Sequence, residues 1–174
     1  STFEGFSTEN MKDTLVFSFL PVDKKIKTYN LIESVVVKNS LGLYLSELDF
    51  TQARIAESEK FPHVTYFFDG GVDGKIKGCD KFHIPSPSVA TYDLKPEMSC
   101  VEVTKRVILS MNNDYDFILV NFANPDMVGH TGNMDAATKA CMAVDMCLNK
   151  IMEKAEDNFY KVVILADHGN ADIM

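Results

Sequence analysis

The sequence predicts an α/β fold in which helices flank a mainly parallel sheet. Two continuous apolar runs, residues 117–122 and 161–166, are typical of strands that are covered on both faces. Between them, residues 134–155 carry apolar side chains at the spacing of one helix face. This strand, helix, strand order predicts a βαβ unit with parallel strands and a right-handed crossover.

The other elements follow from local patterns of apolar, glycine and proline residues. Prolines that open a first helical turn and polar residues that end a helix set most of the boundaries. The stretch 69–87 is rich in glycine and proline, so we predict an irregular excursion there with a small hairpin. The remaining predictions are strands at 14–19 and 52–56, and helices at 40–48, near Pro62 and from Pro96 to Met111.

Composition narrows the class of function. The chain has 174 residues, enough for one domain, and a net charge of -8. It has no excess of positive charge, so we expect neither nucleic acid nor an anionic membrane surface as a partner. Its four cysteines form no C-x-x-C pair and no run of about 18 apolar residues is present, so we expect a soluble cytoplasmic protein.

Two aspartate and histidine motifs follow the two apolar runs. Asp126 and His130 come after the first run, and Asp167 and His168 end the second. The carboxyl ends of parallel strands lie at one edge of a sheet, where ligands bind. Carboxylate oxygen and imidazole nitrogen together suit Mn²⁺, Zn²⁺ or Fe²⁺. The spacing of four would put Asp126 and His130 on one helical face, and Gly129 leaves room for the backbone to bend or for another group to approach.

Simpler interpretations of these residues remain open at this point. Asp126 could be a turn residue, and His130 could be a hydrogen-bonded histidine at a helix start. Asp167 and His168 could simply lie where a strand passes into a loop, with the aspartate accepting hydrogen bonds from nearby backbone N–H groups. The residues alone leave a metal site and these alternatives evenly balanced. By the same reasoning, Lys60 is a solvated surface lysine, His63 is a structural histidine, and His83 is a surface residue without a partner.

Four blocks resemble signatures of the cofactor-independent phosphoglycerate mutases. They occupy residues 54–68, 84–99, 121–133 and 166–172 in the family's order, and residues 3–6 and 39–45 match more loosely. The resemblance implies an alkaline phosphatase-like domain. It also implies an isomerase of glycolysis and gluconeogenesis that interconverts 3-phosphoglycerate and 2-phosphoglycerate through a phosphoserine. Two divalent ions are implied, with Mn²⁺ expected and Mg²⁺ or Co²⁺ as alternatives.

Matching motif to motif assigns roles to five residues. Asp126 and His130 would bind one ion, and Asp167 and His168 the other. Lys60 matches the family lysine that sits against the transferring phosphoryl group of the phosphoglycerate substrate. A nucleophilic serine is expected earlier than these blocks, and a third histidine later.

The departures from the family pattern predict an incomplete enzyme. Residues 1–174 lack the nucleophile segment, the arginine-rich transferase domain and the C-terminal metal-ligand segment, and Ser88 stands where the family often has lysine. We therefore expect an inactive fragment of the phosphatase-like domain, from a monomeric protein about three times longer. Its uncovered apolar surface would favour self-association. The alternatives are a truncated, non-catalytic relative that binds metal or a partner, and another phosphatase or phosphomutase of the superfamily.

Overall fold

The computed structural model describes residues 14–20, 27–33, 35, 37–72 and 74–172. The chain divides into two units, residues 1–36 and 37–174. In the first unit, strands β1 (Phe17–Ser18) and β2 (Tyr29–Asn30) pair in parallel. The strand predicted at 14–19 is therefore present but shorter. Residues 3–6, which resemble the family loosely, lie outside the described residues.

The second unit is built on a parallel sheet. Among its described residues, β3 (Gln52–Glu57) lies between β4 (Cys79–Ile84) and β5 (Phe117–Asn121), and both pairings are parallel. All six residues of β3 are buried, as expected for a central strand with both faces covered. The shared direction puts the carboxyl ends of all three strands at the same edge.

Helices cover the sheet. Residues of α2 (Cys100–Asn112) and α4 (Met134–Asp157) pack with β3 in one core. The other helices are α1 (Leu41–Glu47), α3 (Asn124–Gly129), 3-10 turns at Ser58–Lys60 and Tyr92–Leu94, and a π-helix at His63–Phe67. The prediction of an α/β class with a mainly parallel sheet flanked by helices is confirmed. Among the described helices, none is both long and apolar enough to span a bilayer.

Two predictions of secondary structure are wrong. The predicted irregular excursion at 69–87 contains β4, a regular edge strand whose partly exposed residues include charged side chains that hid its pattern. The predicted strand at 161–166 has neither strand nor helix structure, and Val163, Ile164 and Leu165 are exposed. A strand exists only where a neighbour completes its hydrogen-bond ladder, so an apolar run by itself does not make one. The βαβ pairing with β5 is therefore not formed among the described residues.

Candidate functional site

The carboxyl edge of the sheet brings Lys60 and Asp126 together from different strands. Lys60 ends the 3-10 turn that follows β3, and Asp126 lies in the first turn of α3, after β5. Pro125 stands at the start of α3, where its missing N–H costs no hydrogen bond. The turn and the helix each begin where a strand ends, so the sheet fixes both positions.

Lys60 and Asp126 form a largely buried ion pair. The Nζ of Lys60 donates a hydrogen bond to Oδ2 of Asp126, and the two side chains are only 7% and 13% exposed. Charged groups are rarely buried unless they are paired, and here each neutralises the other. Interpreting Lys60 from its local sequence as a solvated surface lysine was therefore wrong.

The second motif meets the first at the other oxygen of Asp126. Oδ1 of Asp126 lies 3.2 Å from Nε2 of His130, one helical turn away, and 3.9 Å from Nε2 of His168. It also accepts a hydrogen bond of 2.5 Å from Nδ2 of Asn170. The expectation that the two motifs share one edge is confirmed, although residues 161–166 do not form the predicted strand.

Asn170 and Gly129 explain how the motifs approach so closely. Nδ2 of Asn170 also donates to the backbone carbonyl of Asp126 at 3.1 Å. A Cβ atom at position 129 would lie 2.9 Å from Oδ1 of Asn170, closer than a carbon atom can approach without displacing that side chain. The predicted need for space at Gly129 is therefore real, and Asn170, which sequence reasoning did not single out, is the group that approaches there.

Asp167 and His168 lie at the outer side of this cluster. Their side chains are 45% and 46% exposed, and Nε2 of His168 lies 3.7 Å from Oδ1 of Asp167. Nδ2 of Asn121, the last residue of β5, donates to Oδ2 of Asp167 at 3.3 Å. The second motif therefore touches both the end of β5 and the first motif.

The charge state of Asp126 follows from its neighbours. Burial alone would raise the pKa of Asp126, but hydrogen bonds from Lys60 and Asn170 and the nearby charge of Lys60 outweigh that penalty. The net pKa is lowered, so Asp126 is an anion at neutral pH. An anionic carboxylate is the form that pairs with a lysine or binds a cation.

The chemistry of this donor set fits a divalent ion. Two carboxylates and two imidazoles adjoin one another, and His130 and His168 both approach the same oxygen of Asp126. Within residues 14–20, 27–33, 35, 37–72 and 74–172, however, no three such side chains converge tightly enough to hold an ion. The described residues are therefore suitable ligands in kind, although they do not by themselves converge on one ion position.

The structure gives His83 a partner, which the sequence did not predict. Nε2 of His83 lies 2.8 Å from Oγ of Ser58, across the neighbouring strands β3 and β4. His83 is exposed, as predicted for a surface histidine, but the prediction that it has no partner was wrong, because β4 was not predicted. His63 begins the π-helix and packs edge-on against Phe67, in keeping with the structural role that was predicted.

Comparisons with known proteins agree with this architecture. A family model described as the Metalloenzyme superfamily matches residues 31–174. The chain is 48% identical to the 2,3-bisphosphoglycerate-independent phosphoglycerate mutase of Clostridium kluyveri, over 99% of this chain and 34% of that protein. For the Staphylococcus aureus protein of the same name, the identity is 46% over 98% of this chain and 34% of the relative.

A solved structure is similar as well. A Leishmania mexicana phosphoglycerate mutase, crystallised at low cobalt concentration, superposes with a TM-score of 0.83 and 30% identity. The match covers 90% of this chain and 29% of that one. The resemblance found in the sequence is thus confirmed, and the chain spans about a third of the length of the curated relatives it matches. On the strength of the family match over residues 31–174, the chain belongs to the Metalloenzyme superfamily.

Proposed function

We propose that this chain is part of a 2,3-bisphosphoglycerate-independent phosphoglycerate mutase, an isomerase that interconverts 3-phosphoglycerate and 2-phosphoglycerate through a phosphoserine. The observation that carries the proposal is the meeting of Lys60 with two aspartate and histidine motifs around one buried carboxylate. The similarity to mutases at 46 to 48% identity over nearly the whole chain supports the choice of reaction. The serine would come from the part of the relatives that this chain does not span.

In this proposal, four residues hold divalent ions. Asp126 and His130 would bind one ion, and Asp167 and His168 the other, with Mn²⁺ expected and Mg²⁺ or Co²⁺ as alternatives. Bound ions of this kind stabilise the attacking and leaving oxygens of a phosphoryl transfer. Asn170 orients Asp126 through two hydrogen bonds, in the way that outer partners commonly fix a metal ligand.

Lys60 would bind the phosphoryl group of the substrate. Its Nζ is a compact positive charge, suited to phosphoryl oxygens on which negative charge builds during transfer. Its hydrogen bond to Asp126 fixes the ammonium beside the metal ligands. The lysine and the ion-binding residues would therefore act on one phosphoryl group from neighbouring positions.

The proposal extends to the whole protein. Without a serine nucleophile and the remaining ligands, residues 1–174 alone would be inactive. The complete enzyme would be a cytoplasmic monomer of glycolysis and gluconeogenesis, with a small-molecule substrate and neither nucleic acid nor membrane as a partner. The separate 174-residue chain would tend to self-associate through its exposed apolar residues.

The test is a His130→Ala substitution in the whole polypeptide. Loss of a ligand should raise the Mn²⁺ concentration that gives half-maximal mutase activity by at least about 10-fold. His63→Gln, outside the cluster, is the control and should leave that concentration unchanged. An unaltered Mn²⁺ requirement in His130→Ala would remove His130 from the metal site. Hydrolysis of simple phosphate esters without any mutase activity would instead indicate a phosphatase of the same superfamily.

A further inference from the structure

Every residue of the turn that carries Lys60 makes a side-chain hydrogen bond to another part of the unit. Each of the four residues from Glu57 to Lys60 contacts a different part of the unit through its side chain. Their partners are, in chain order, the backbone N–H of Ser99, the ring of His83, the hydroxyl of Tyr92 and the carboxylate of Asp126. A three-residue 3-10 turn is too short to hold its own shape, so these contacts decide where Lys60 lies.

His83 contacts this turn on both sides of Lys60 in the sequence. Its Nε2 lies 2.8 Å from Oγ of Ser58, the first residue of the turn. Its ring also packs edge-on against Phe61, the residue after Lys60, with centroids 5.1 Å apart. His83 itself is fixed by the ladder between β4 and β3, in which it lies opposite Ala56.

Ser58 has the hydrogen-bonding capacity to complete this arrangement. Its Oγ accepts a hydrogen bond of 3.1 Å from the backbone N–H of Ser86, just beyond β4. A serine hydroxyl has one proton and two lone pairs, so the proton remains available for Nε2 of His83. One hydroxyl thus joins the turn after β3 to the end of β4 through two bonds.

We propose that Ser58 and His83 are positioning residues, which hold the turn so that Lys60 meets Asp126. The proposal rests on the proposed function only for its effect on catalysis, since the contacts themselves do not depend on it. Neither residue would touch the substrate. The Lys60 side chain is only 7% exposed, so its packed stem has little freedom to compensate for a shift of the turn, and the position of the turn determines whether Nζ reaches Asp126.

The experiment measures how readily Lys60 reacts in the whole polypeptide. Reductive methylation followed by peptide mass spectrometry reports the accessibility of each lysine, and Lys60 should be protected by its burial. The variants are His83→Leu, Ser58→Ala, the double variant, and His83→Gln, which can still form a hydrogen bond. Tyr115→Phe is the control, since it removes an exposed hydrogen bond, to Asp80, at the amino edge of the same sheet.

Loss of the exposed hydrogen bond between Ser58 and His83 is expected to raise the methylation rate of Lys60 by at least about threefold in His83→Leu and in Ser58→Ala. The double variant should add less than the sum of the single ones, because both remove the Ser58–His83 bond, while each also removes one contact of its own. His83→Gln should restore most of the protection, and Tyr115→Phe should leave it unchanged. The kcat of the mutase should fall about threefold in the two single variants, with an unchanged Mn²⁺ requirement.

The two proposals fail in different ways. Unchanged methylation of Lys60 in both single variants, or an equal rise in Tyr115→Phe, would overturn the positioning role. Faster methylation of Lys60 in a polypeptide without mutase activity would support the positioning role and refute the proposed function.

Discussion

Replacing Lys60 with methionine tests the buried ion pair at the centre of the candidate site. Methionine keeps most of the apolar stem but removes the ammonium, so Oδ2 of Asp126 loses its hydrogen-bond donor. Breaking a fully buried pair costs about 3 to 5 kcal/mol. Asp126 keeps Asn170 and His130 at its other oxygen and is slightly exposed, so we expect a loss of about 2 to 3 kcal/mol.

The assay is native-state hydrogen exchange on peptides that cover β3 and α3, which gives the local free energy of opening. Lys77→Met is a matched control: Lys77 pairs with Asp49 at 2.6 Å, but the side chains are 80% and 74% exposed. An exposed pair contributes little, so this control should match the unsubstituted protein. Adding Asp126→Asn to Lys60→Met should recover part of the loss. Equal effects of Lys60→Met and Lys77→Met would refute the reasoning.

Two further predictions concern buried groups away from this pair. Gly42→Ala would put a Cβ atom 2.5 Å from Oδ1 of Asp69 and 2.6 Å from Nη2 of Arg54, and both of these residues are fully buried. The substitution should therefore lower the free energy of unfolding by about 1 to 3 kcal/mol, measured by thermal unfolding. An unchanged melting temperature would contradict this packing. Burial raises the pKa of Glu57 above its ordinary value of 4.5, so its contribution to stability is full below that value and is lost as the pH rises through the raised pKa. Glu57→Gln should remove this dependence, and identical unfolding free energies against pH in both proteins would exclude it.

Much of the fold could be predicted from local patterns. The apolar run of β5 and the amphipathic stretch of α4 were recognised because packing against other elements leaves a direct trace in the order of apolar residues. β4 left no such trace, since an edge strand is only partly buried and can carry charged side chains. The strand predicted at residues 161–166 is absent for a different reason. An apolar run indicates a tendency to be buried, but it does not show whether a neighbouring strand is there to form hydrogen bonds.

The sequence by itself determined which residue types could form the site, and its pattern correctly predicted that both aspartate and histidine motifs lie at one edge of the sheet. Only the tertiary structure decided the partners: Lys60 meets Asp126 across 66 positions of the chain, and Asn170 meets it across 44. The burial of Lys60 and the partner of His83 were likewise decided by the parallel register of β3 with β4 and β5. Contacts over such separations depend on strand order and register, whereas the motifs are properties of neighbouring residues.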